Sequence, residues 1–282
     1  SVLRIRGIKR LATLLAGGLL AGLLAPAQRT AAAADVVHVL VLREHGVGTA
    51  AHAQKYVDRL LAVAGKLNGW TATSGEYHTT RTRAEQYIAS AKPHYGILSL
   101  AAFLGLRERH GLKVIGRAEI SGAGGRQYHL VSKHQTDLKG CQGKKLASDH
   151  FDDARFIEKV VARGSFKLSE FELVSTRRPL QTVKKVIRDQ AECALVDDAQ
   201  FDDLANVEGG KALKSVWRST KLPPMVVVAF PAAPGPEVTA FRASLGLICG
   251  GEGREACKET GMRALRRCAE VEYRTVIRAY GK

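Results

Sequence analysis

Between residues 36 and 132, short apolar runs of strand length alternate with helical stretches, and no other feature of this sequence restricts its fold as tightly. Val36–Leu42 (VVHVLVL) is the first run, and a helical pattern follows with Tyr56, Leu60, Leu61, Ala64 and Leu67 on one face. Trp70–His78 alternates weakly, and Thr82–Ala91 reads as a helix capped by Thr82. Tyr95–Leu100 and Leu112–Ile120 read as buried strands. Strand, helix, strand, helix, strand is the order of a mostly parallel sheet covered by helices.

A second series begins beyond the GAGG turn (Gly122–Gly125) and the extended Arg126–Ser132. Lys144–Ser148 reads as a strand. Asp152–Gly164 reads as a helix with Phe156, Ile157, Val160 and Val161 as its buried stripe and Gly164 as its stop. Phe171–Ser175 is a strand, Pro179–Gln190 a helix with proline in its first turn, and Cys193–Asp197 a third strand. Pro223–Pro231 is extended again. Glu237–Tyr280 reads as helices interrupted by Gly250–Gly253.

The first residues stand apart from this pattern. Arg4, Arg6, Lys9 and Arg10 precede an apolar run, Leu11–Pro26, and the small residues Ala31–Ala34 follow it. That three-part pattern predicts a secretory signal peptide over 1–34, cleaved before Asp35, and hence an exported protein. Its apolar run is shorter than the ~20 residues of a membrane span.

Removing that leader takes away five cations, Arg4, Arg6, Lys9, Arg10 and Arg29, and no acid, so the net charge of +16 falls to +11. The basic pairs Lys144–Lys145, Arg177–Arg178, Lys184–Lys185 and Arg266–Arg267 are spread along the chain without interleaved aromatics. That argues against a nucleic-acid face. No GxSxG, HExxH or nucleophile–base spacing is present, so an enzyme is not expected and no catalytic residue is assigned. Five cysteines lie at 141, 193, 249, 257 and 268, none in a CxxC pattern. Disulfides are the expectation in an oxidising compartment, with at least one thiol left over.

Three phrases, in order and at suitable spacings, resemble a known family. Thr136–Asp149 (TDLKGCQGKKLASD) resembles its "dLkGkkva" crossing, and Val183–Asp198 (VKKVIRDQAECALVDD) its "v.aV..G.vDa". Ser215–Phe230 (SVWRSTKLPPMVVVAF) resembles its return strand with "S..lP". On these residues the chain resembles type 2 periplasmic binding proteins, in the phosphate/phosphite/phosphonate branch of ABC-transporter receptors, over most of Asp35–Lys282. The resemblance implies a two-lobed α/β fold, each lobe a mostly parallel sheet flanked by helices. Residues 35–131 plus 226–282 would form lobe one, and 132–225 lobe two, with crossings near Tyr128–Lys133 and Leu222–Val228. It further implies a noncatalytic monomer that captures a small polar solute between the lobes and delivers it to an ABC permease in the inner membrane. The alternative is a periplasmic sensory or accessory module without a transport role, one form of which would bind metal.

Ligands of open α/β sheets lie beyond the carboxyl ends of the strands. That rule, with the implied lobes, gives Arg43, Glu44, His45, Tyr77, His78 and Ser99 from lobe one and Tyr128 from the crossing. Lobe two gives Ser148, Asp149, His150, Arg177, Arg178 and Asp197. Phosphonate binders carry a Ser/Thr-rich turn where this chain has SDHFDD; only Ser148 matches it by type, and the carboxylates would repel a bare phosphonate. Asp152 and Asp153 suit the first turn of their own helix. A metal reading would join Asp149, His150 and His45 or His78. No HxH or HxxxH spacing supports it, so neither metal nor cofactor is expected. The implied topology also sets Cys141 beside Cys193; Cys249 and Cys257, which flank GGEG, are the second expected pair, and Cys268 is then left over.

Overall fold

The computed structural model describes residues 35–45, 50–120 and 124–281; the expected signal peptide lies outside them. Among the described residues, eleven strands run in chain order: β1 (Val37–Leu42), β2 (Thr73–His78), β3 (Tyr95–Leu98), β4 (Lys113–Ile120), β5 (Tyr128–Ser132), β6 (Lys145–Ser148), β7 (Glu172–Ser175), β8 (Cys193–Asp197), β9 (Lys214–Arg218), β10 (Met225–Ala229) and β11 (Met262–Arg267). They form two sheets, ordered β11-β4-β10-β3-β1-β2 and β7-β6-β8-β5-β9. Helices cover both.

Both sheets are mixed, which corrects the expectation of mostly parallel ones. β1 pairs in parallel with β2 and β3, and β6 with β7 and β8. β10 runs antiparallel to both β3 and β4, and β5 antiparallel to both β8 and β9. The cause is connectivity. The chain passes between sheets after β4 and after β9, and each arriving strand starts where its new neighbours end. It must therefore run the opposite way.

Two elements differ from the sequence reading. Leu100–His110 is a helix, though its apolar residues make no single clean stripe: Leu100, Ala102, Phe103, Leu104 and Leu106 are all buried. The C-terminal stretch is not all helical, because β11 lies within it, antiparallel to β4. The stretch after Asp153 forms a π-helix at Phe156–Ala162, burying the expected Phe156, Ile157, Val160 and Val161. Gly164 follows with a positive φ of 88° that favours glycine.

The helix Ala50–Asn68 buries Val57, Leu60, Leu61 and Ala64 against the first sheet. A Cβ on Gly75 would lie 2.3 Å from Leu61 Cδ1, so that close packing requires glycine. One core cluster runs from the first sheet (Leu40, Leu98, Val226) to the second (Leu130, Leu146, Leu195), so the two halves share apolar packing. Disulfides join Cys141 to Cys193 and Cys249 to Cys257, while Cys268 is a buried free thiol. No helix among the described residues is long and apolar enough to cross a membrane.

Candidate functional site

Strands β1, β3, β6 and β8 end toward one another, and the residues after those ends line two adjoining spaces. The smaller, about 70 Å³, is walled by Arg43, Glu44, His45, Ser99, Tyr128, His150 and Asp197, with Phe156 and Pro223–Met225. The larger is an open groove of about 1070 Å³, bounded by His45, Ser148, Asp149, Asp152, Arg177 and Arg178 among others. His45 borders both. Tyr77 and His78 border neither: Tyr77 is packed into the core, and His78 lies 2.7 Å from the Glu76 carboxylate.

Asp149 is the hub of the polar network. Its Oδ1 accepts from Thr182 Oγ1 at 2.9 Å and from Gln200 Nε2 at 2.8 Å. Its Oδ2 lies 3.5 Å from His45 Nδ1 and 3.9 Å from His150 Nε2. Gln200 Oε1 accepts from the Asp197 backbone N–H at 2.8 Å and faces His150 Nε2 at 2.8 Å. Because that oxygen can only accept, His150 must carry a proton on Nε2. Asp149 is thus no helix cap; Asp197 is one, accepting from Gln200 N at 2.9 Å in a reciprocal capping box.

His45 has a left-handed backbone, φ 58°, uncommon for a residue with a side chain. Its Nε2 lies 3.5 Å from Asp152 Oδ1, so the ring sits between two carboxylates. Burial opposes charge on the ring, but Asp149 and Asp152 outweigh it and raise its pKa from 6.5 to about 10. Burial opposes charge on Asp149 too, but His45, then His150, Gln200 and Thr182, hold it well below the usual carboxylate range. Tyr128 is pushed well above 10 by burial and then by Asp197, Asp198, Glu44 and Asp149. Asp198 is raised by burial and by Asp197. Four carboxylates thus act on Tyr128, while Arg43 and His45 line the same cavity.

A second network ties the halves together. Arg81 donates to both oxygens of Glu44 at 3.0 and 2.9 Å and to Asp153 Oδ2 at 2.9 Å. Tyr280 Oη donates to that same Asp153 oxygen at 3.2 Å. Asp153 also caps its own helix, accepting from Phe156 N at 2.9 Å, so it serves both roles.

Arg81, Thr182, Gln200 and Tyr280 were not singled out from the sequence. Gln200 had a readable signal, because Asp197-x-x-Gln200 is a capping-box spacing. The others meet the site only through tertiary folding.

No family model matches this chain, and no curated protein does. Solved structures do. The fold is similar to XAC2383 from Xanthomonas citri bound to chloride ion, at TM-score 0.67 and 12% identity over 88% of this chain and 97% of that one. This is the type 2 periplasmic-binding-protein fold. It is shared with a binding protein component of an ABC phosphonate transporter from Pseudomonas aeruginosa, at TM-score 0.63 and 10% identity over 86% of this chain and 85% of that one. PhnD1 from Prochlorococcus marinus, in complex with methylphosphonate, matches at 0.64 and 8% over 87% of this chain and 97% of that one. In open α/β sheets ligands lie outside the carboxyl ends of the strands, and the residues that follow β1, β3, β6 and β8 line the two spaces described above.

Proposed function

We propose that the protein is an exported, noncatalytic receptor that captures a small polar solute between its two lobes and delivers it to an ABC permease in the inner membrane. In this reading lobe one carries the first sheet and lobe two the second. The observation that supports it best is Ser99. Its hydroxyl is buried beside the small cavity and has no hydrogen-bond partner among the described residues. A buried hydroxyl left unpaired costs roughly 1–3 kcal/mol, a cost that a bound solute would remove. The four carboxylates that act on Tyr128 favour a solute with positive charge or hydrogen-bond donors on that side of the cavity over a doubly charged phosphonate.

The test is a thermal-shift screen of the purified protein in chelator, against amino acids, polyamines, dicarboxylates, phosphate and phosphonates. Ligand at 100 times its Kd should add about 2.7 kcal/mol of stability. A shift with a cationic or donor-rich solute, lost in Ser99→Val, is the expected result. A shift with phosphonates alone would overturn the charge argument, and no shift at all would favour an accessory module over a transport receptor.

A further inference from the structure

We propose that His45, Asp149 and His150 form a binding site for a divalent first-row transition-metal ion on the wall between the small cavity and the groove. Each residue offers one ligand atom, and these atoms lie within 4.8 Å of one another. The proposal concerns the same cleft as the receptor reading but stands without the transport role.

The spacings suit co-ligands better than hydrogen bonds. Asp149 Oδ2 lies 3.5 Å from His45 Nδ1 and 3.9 Å from His150 Nε2. Charge-assisted hydrogen bonds run about 2.7–2.9 Å. Two ligands on one tetrahedral ion, with bonds of about 2.0–2.1 Å, sit about 3.3 Å apart. Two imidazoles and a carboxylate meeting at one point form a donor set suited to zinc, nickel, cobalt, iron or manganese, and poorly suited to calcium or magnesium.

The surroundings orient these donors as metal sites require. Histidine ligands commonly donate their other ring N–H to a carboxylate, and ligating carboxylates are themselves hydrogen-bonded. His45 turns Nδ1 toward Asp149 and presents Nε2 to Asp152 Oδ1, which at 3.5 Å is an ion-pair distance and the position from which a carboxylate would orient the ring. Asp149 spends Oδ1 on Thr182 and Gln200, which leaves Oδ2 aimed between the two rings. On binding, His45 would release its Nδ1 proton to solvent, and His150 would exchange its Nε2 contact with Gln200 for the ion, its proton then sitting on Nδ1; Gln200 Oε1 would keep the Asp197 N–H. The groove beside His45 supplies an entry path and room for water on the open coordination positions. His45 comes from the first half of the fold and Asp149 and His150 from the second, so no sequence spacing could display the set.

Chelator-stripped protein titrated calorimetrically with zinc, nickel, cobalt and manganese, with calcium and magnesium as controls, tests this. One transition ion per chain should bind saturably, and His45→Ala or His150→Ala should abolish the binding. Asp152→Asn should weaken it by about 10-fold or more, as the loss of an orienting partner does. Because a variant can fail to fold, X-ray absorption of the loaded wild-type protein provides a second readout. Imidazole nitrogen scatterers are expected, and an all-oxygen shell would overturn the proposal. So would the absence of saturable binding by any transition ion, which would mark the cluster as an ion pair only. That failure would leave the solute screen, run in chelator, unaffected.

Discussion

Asp149 and Arg81 show how much of the site single residues decide. Arg81 pairs with both Glu44 and Asp153, whose side chains are only 5% and 10% exposed. Removing one partner of such a pair leaves buried charge uncompensated, at a cost of about 3–5 kcal/mol. Arg81→Ala should therefore lower the unfolding free energy in urea by roughly that amount, and Arg81→Lys should not restore it, because lysine cannot make the two-pronged contact with Glu44. His129 gives a pH prediction. It stacks on Phe201 at 4.1 Å and meets Ser215 Oγ at 2.9 Å. Burial, then Arg218, depresses its pKa below 6.5. The unfolded chain thus binds the proton more readily, and the stabilisation is present above pH 6.5 and lost as pH falls toward the depressed folded value. Wild-type protein should lose stability relative to His129→Gln over that window, read from urea melts at a series of pH values. A wild type and variant that track each other would show that the ring is not held neutral.

At the scale of elements, periodicity revealed what periodicity controls. Cys193–Asp197 matches its expected strand residue for residue, and Pro179 begins its helix as its missing N–H allows. β11 was hidden for a physical reason. A register shift between Met262 and Ala264 breaks its alternation, leaving Met262 and Leu265 buried three residues apart, which imitates a helix. Leu100–His110 was hidden by burial on several sides, which removes the stripe by which an amphipathic helix is read. The disulfides also act on elements. Cys141–Cys193 spans 52 residues and ties the short helix Leu138–Cys141 to β8, whereas Cys249–Cys257 spans only 8. Loop-closure entropy gives upper values of about 4 and about 2.5 kcal/mol. Replacing both cysteines of the first pair by alanine should destabilise the protein more than replacing the second pair, as chemical denaturation would measure. The reverse order would mean that native packing, not loop length, sets the contribution.

For the whole molecule, the two strand–helix series indicated an α/β chain in two parts, and resemblance to a family implied which segments share a part. Hydrophobic patterning identifies strands without saying which strands share a sheet. That is why Asp149 and His150 could be placed after one strand and His45 after another, while the choice between His45 and His78 as their neighbour stayed open. The strand order has a consequence for how the chain is made. β10 lies between β3 and β4, so the first sheet is interrupted until residues 225–229 exist. By residue 218 every strand of the second sheet has been synthesised, while β3 and β4 of the first still lack the neighbour that joins them. The half begun first is therefore finished last, and its open edges await a segment made more than 100 residues after β4.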